Sequence, residues 1–180
     1  MSNNAYACDN GCDANVPDIQ HDLCAPEAHF GPINYIAVTK VGYPLTNVSD
    51  PNEWAARLAA NDDTKIQLLP VVGDMPEPES TEYRISLCRK VISNTDFTVN
   101  IEVDETNDTN YEFMRATRCN PIYLGWIITT DHIRGGNDGI EMNIVLSEII
   151  DKDCKGLQKF VGKVTWTAQN FPFRSENVLP

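Results

Sequence analysis

The chain has 180 residues, which fits one ordinary domain with an appended arm. Lysine and arginine number 14 against 26 aspartate and glutamate, a net charge of −12. That balance excludes a general phosphate-binding surface, because nucleic-acid affinity comes from cationic contacts and counterion release.

Hydrophobic residues make up 42% of the chain, enough for a sizeable core. There is no run of about eighteen apolar residues, so no membrane span is expected. The opening MSNNAYACDN lacks the basic start and apolar stretch of a signal peptide, and the expectation is a protein used without secretion. The six cysteines are even in number, but that context argues against an obligatory disulfide scaffold.

Residues 1–32 are polar and irregular and read as an extended N-terminal arm. They hold Cys8, Cys12, His21 and Cys24, a C-x3-C-x8-H-x2-C spacing. Zinc takes four such ligands tetrahedrally, and short chelating spacings lower the entropic cost of closure. Against zinc, the pairs are not of the C-x2-C type and no finger core surrounds them. Free or occasionally oxidised thiols in the arm are the preferred reading.

From Ile33 to the end the chain reads as one domain. INYIAVTKV is β-branched and strand-like, with turn residues after it. In SDPNEWAARLAAND, Asp50 suits an N-cap with Pro51 behind it, and Trp54 and Leu58 form an apolar stripe at helical spacing. TKIQLLPVV reads as a strand in which Pro70 implies an edge or a break. GDMPEPESTE, carrying Asp74, Met75, Glu77 and Glu79, reads as a long stiffened loop.

A hairpin is expected next, with SNTD as its turn. On its first strand Tyr83, Ile85 and Leu87 face inward; on its second, Phe97, Val99, Ile101 and Val103 oppose Thr98, Asn100 and Glu102. Asp108 or Thr109 can cap a short helix in which Tyr111, Met114 and Arg115 share a side. IYLGWIITTDHI and GIEMNIVLSEII are apolar strands joined through RGGNDG, whose glycines and Asn-Asp supply positive φ. KFVGKVTWTA is a closing strand, after which FPFRSENVLP trails away. The expected fold is mainly β (α+β): an antiparallel β-sandwich or open barrel of about seven strands with two short helices.

Candidate chemistry is sparse. Cys88, Cys119 and Cys154 are explained by packing, and no Cys–His signature surrounds them. From Asp96 to Glu112 there are six carboxylates and no cationic side chain, but DETNDTN lacks the glycine and the twelfth-position ligand of a calcium loop. A solvated strand end and helix cap is the reading preferred there. Paired carboxylates such as Glu102, Asp104 and Glu105 are too common on acidic surfaces to identify a hydrolase. Such an enzyme would need His132 or Glu102 in a pocket beside Cys88 or another acid. Trp54, Trp126 and Trp166 each lie on an apolar face and are expected in the core.

The element order over residues 33–173 resembles the tail-tube-like structural proteins of tailed bacteriophages, a fold also used by neck and hub rings. DTKIQLLPVVGDMPEP, ISLCRKVISNTDFTVNIEVDETNDTNYEFMRA and KVTWTAQNFPF are similar to virion proteins of phages infecting Bacteroidetes. The resemblance implies a non-enzymatic virion protein, assembled in the bacterial host cytoplasm into a homo-oligomeric ring, usually hexameric, beside other virion proteins. It implies no cofactor, with structural zinc in the arm as the exception, and DNA only as passing cargo. Asp74, Met75, Glu77 and Glu79 then belong to an inter-subunit loop, and Asn100, Glu102 and Asp104 face a lumen whose negative charge repels phosphates. A stand-alone β-sandwich binding module with a zinc-stapled arm is the alternative from another class.

Overall fold

The computed structural model of the chain describes residues 31–86, 89–150 and 158–179, with backbone alone for 85, 86 and 89–92. The expected arm over 1–32 and its Cys8, Cys12, His21 and Cys24 cluster therefore lie, but for residues 31 and 32, outside the described residues, as do Cys88 and Cys154.

Among the described residues nine strands and two helices follow one another: β1 (Ile33–Thr39), α1 (Pro51–Ala59), β2 (Gln67–Asp74), β3 (Glu79–Ser86), β4 (Arg89–Val103), α2 (Asp108–Cys119), β5 (Ile122–Thr129), β6 (His132–Arg134), β7 (Ile140–Ile149), β8 (Lys159–Ala168) and β9 (Arg174–Glu176). Every strand pairing is antiparallel. The protein is mainly β with two helices, as expected. The sheet does not stay open, however. β1 pairs with β2 on one side and with β5 on the other, so β1-β2-β4-β8-β7-β5 returns to its start as a closed six-stranded barrel. Closure removes the edges that an open sheet would leave exposed.

The barrel interior is built by alternation. Phe97, Val99, Ile101 and Val103 of β4 are all at most 1% exposed, facing Ile144, Leu146, Phe160 and Val164 from β7 and β8. Gly162 lets β8 approach β7 closely there: a Cβ on it would lie 2.1 Å from the Val145 carbonyl oxygen. β1 and β5 do not alternate because both of their faces are buried. Ile36, Val38 and Ile127 point into the barrel, whereas Ala37, Leu124, Trp126 and Ile128 form a second core beneath α1.

That second core explains α1. Asp50 caps it by accepting from the Asn52 amide at 2.9 Å, Pro51 opens it, and Glu53 accepts from the Thr46 and Asn47 amides, each at 2.7 Å. The helix delivers a single fully buried side chain, Trp54, edge-on to Trp126 at 5.5 Å between ring centroids. Each indole N–H has a carbonyl: Val48 at 2.8 Å for Trp54 and Gly136 at 2.7 Å for Trp126. Aromatic area is thus buried without stranding its polar atom.

Several local expectations are corrected. SNTD is not a turn: Asn94, Thr95 and Asp96 lie within β4, opposite Thr81, Ser80 and Glu79 of β3. The ten-residue loop shrinks to residues 75–78, because Asp74 ends β2 and Glu79 begins β3. Tyr83 is 62% exposed rather than inward, since this part of the hairpin has no core beneath it. The α2 cap is Asn107, whose side chain accepts from the Asn110 amide at 2.8 Å, and the buried side carries Met114 and Thr117, not Tyr111 and Arg115. The segment taken as one strand, IYLGWIITTDHI, bends at residues 130–131 into β5 and β6. Only the glycines of RGGNDG, Gly135, Gly136 and Gly139, have positive φ. The C-terminal segment does not trail away: it forms β9 on β6, and Asn177 then binds Thr129, Thr130 and Asp131 through its side chain and amide.

Candidate assembly interface

β4 is long enough to serve two structures. From Thr95 to Val103 it is a barrel stave paired with β8, and from Arg89 to Asp96 it pairs with β3. Below Thr95 no described residue pairs with its other edge, so β3 and the first half of β4 leave the barrel as a two-stranded arm. Among the described residues β3 pairs with β4 alone. Along Glu79–Arg84 every residue is exposed, so this stretch buries neither face.

The root of the arm is packed against the barrel. Phe97 stacks on Trp166 with centroids 4.9 Å apart and planes 2° from parallel, and Phe171 meets Phe97 edge-on at 5.1 Å. The hydroxyl of Thr167 donates to the Asp96 carboxylate, and Ser80 and Thr95 share a hydrogen bond at 3.1 Å. Phe171 and Phe173 continue the aromatic surface outward, 65% and 52% exposed.

The acidic positions anticipated at an inter-subunit loop separate into two groups. Asp74 accepts from the Asn100 side chain at 3.3 Å, and Met75 packs half-buried against the barrel core. Glu77 and Glu79 are exposed at the start of the arm, with Glu79 facing Asp96 across the hairpin. Like charges facing each other on adjacent strands are destabilising, so both carboxylates favour a cation from elsewhere.

Asn100, Glu102 and Asp104 stand on or beside the outer face of the barrel. Asn100 is half-buried against Asp74, Glu102 is ion-paired with Lys159 at 2.6 Å, and Asp104 is exposed beyond the end of β4. The Glu102–Lys159 pair is partly solvated and contributes little stability.

Titration adds three local details. The hydrogen bond and charge of Asp63 raise Lys40 above its ordinary value, and burial raises Tyr123. Burial, followed by the charge of Arg174, disfavours the protonated form of Arg134. Those two arginines face each other across β6 and β9, a pairing with no mark in the sequence because forty residues separate them.

Among the described residues no group of three or more His, Cys, Asp or Glu could hold a metal ion, and Cys119, a surface thiol, is the one described free cysteine. His132 lies on β6 opposite Glu176, and Glu102 lies on β4 beside Lys159, so the two are on separate parts of the sheet. The chain matches no family model, no curated protein and no solved structure.

Proposed function

We propose that the protein is a non-enzymatic structural subunit that self-assembles into a ring, in the manner of the tail-tube-like virion proteins of tailed phages. In that role it forms one layer of a DNA conduit in a tube, neck or hub, alongside other virion proteins.

One observation carries this reading: an arm of two strands that buries neither face of Glu79–Arg84 and whose outer edges pair with nothing among the described residues. An isolated two-stranded hairpin is marginal at best in water, and open strand edges are templates for another chain. A closed barrel that spends residues on such an arm gains from it when a neighbour covers it. Head-to-tail contact between identical subunits closes into a ring when the rotation permits.

The acidic composition supports the conduit part of the reading. A net charge of −12 disfavours adhesion to DNA phosphates, which suits a wall past which DNA must move. Asn100, Glu102 and Asp104 are solvent-facing or half-buried and polar, as a lumen-facing row requires.

Size-exclusion chromatography with light scattering tests the proposal. The full chain elutes as a discrete oligomer, and a chain whose arm is shortened by joining Thr81 to Asn94 through Asn-Gly elutes as a monomer. An intact chain that is monomeric at every concentration overturns it.

A further inference from the structure

Among the described residues the sheet has two terminal strands, β3 at the arm and β9 at the far end, where β9 pairs with β6 alone. On that far end, Arg134 and Arg174 occupy facing positions. Among the described residues neither guanidinium has a hydrogen-bond acceptor or an ion pair. Asp138 and Glu141 line the same cleft as Arg174 without pairing with it, and Glu176, two residues along β9, pairs with neither arginine.

Such a pair is costly. Like charges on facing strands repel, and Arg134 is half-buried, so its charge is partly removed from water without compensation. In a chain with 26 acidic and 14 basic residues, two adjacent cations that pair with no described carboxylate run against the composition. Beside them, Arg174 rims an open cleft of about 600 Å³ walled by Trp166, Phe171 and Phe173.

The other terminal strand has the complementary deficit. Glu77 and Glu79 stand exposed where β3 begins, without a cationic partner among the described residues. Two carboxylates at one end of the sheet match two guanidiniums at the other, and arginine binds carboxylate in a two-pronged geometry that fixes register.

We infer that Arg134 and Arg174 are the docking site for Glu77 and Glu79 of a second copy of this chain, donating to their carboxylates, while that copy's β3 adds to the free edge of β9. This rests on the proposed ring assembly and names its contact. Because the two surfaces differ, the contact is head-to-tail and propagates from copy to copy. The exposed Phe171 and Phe173 supply apolar area next to the charges, and the paired strand edges supply backbone hydrogen bonds.

A charge swap on the full chain tests the contact, read by sedimentation velocity and electron microscopy. R134E/R174E and E77R/E79R each lose the ring, and the chain carrying all four substitutions regains it. R174E alone, at an exposed position, keeps the test open should R134E disturb folding, and circular dichroism confirms that each variant is folded. Rings that persist in either two-site variant overturn the inference. So does a folded four-site variant without rings, which would assign the arginines to another anion. Failure of the unmodified chain to form rings overturns the assembly reading itself, which is a separate result.

Discussion

The Phe97 and Trp166 rings lie 4.9 Å apart and 2° from parallel at the point where the arm leaves the barrel. Phe97 is 1% exposed and Trp166 7%, so this stack belongs at once to the core and to the base of the arm. Whatever pulls on the arm is transmitted to the barrel through these rings and through the continuous backbone of β4.

Phe97→Ala is therefore expected to cost about 3–5 kcal/mol, the range for truncating a buried aromatic. It also deprives Phe171 of the ring it packs on edge-wise. Chemical denaturation measures the loss, and a cost below about 1 kcal/mol would contradict the packing described for the arm's root.

Gly162 offers a sharper test of barrel closure. Its missing Cβ would sit 2.1 Å from the Val145 carbonyl oxygen and 2.8 Å from a Leu146 methyl. Gly162→Ala forces β7 and β8 apart, because the obstacle is backbone that cannot rotate away. A loss of about 3 kcal/mol or more is expected, at the upper end for overpacking. A melting temperature equal to that of the unmodified chain would mean that the strands are farther apart than this.

How much of this was legible in the sequence depended on burial. The alternation in FTVNIEVD was readable because one face of β4 lies against the core from Phe97 to Val103. The same strand between Arg89 and Asp96 gave no such signal. With β3 exposed from Glu79 to Arg84, hydrophobic alternation had no physical cause there, and the polar SNTD passed for a turn. The helix over 51–59 was visible from Asp50, Pro51 and Trp54 because caps and stripes are local. Barrel closure was not, because the pairing of Ala37 with Trp126 leaves no trace in either neighbourhood. The two apolar runs were compatible with strands buried on both faces, and that was the only hint. The facing arginines were invisible for the same reason.

Helix α2 is tied to the barrel where β7 runs beyond β5. The buried Thr117 hydroxyl donates to the Met114 carbonyl at 2.7 Å and accepts from the Leu146 amide at 3.5 Å. Thr117→Val keeps the shape and removes both bonds, leaving an amide without its partner. A cost of about 1–2 kcal/mol is expected. Amide hydrogen exchange at Leu146 quickens by the same measure, and unchanged protection would show that the hydroxyl is not its partner.

Alkaline pH should weaken the fold through Tyr123. Burial raises this phenol above its ordinary value of 10.0, so the unfolded chain loses the proton first. A raised folded value means that the tyrosine's contribution is intact below the unfolded value and is lost as pH rises through the folded one. Unfolding titrations between about pH 9 and 11 should show stability falling, with a smaller fall in Tyr123→Phe. Equal falls in the two proteins would exclude Tyr123 as the source.

Electron microscopy of the purified full chain tests the central claim most directly. The expected images show closed rings of uniform diameter, with each arm lying against the next subunit, and none in the chain whose arm is shortened between Thr81 and Asn94. Fields of dispersed single barrels from the intact chain, at concentrations where it is folded, would contradict it.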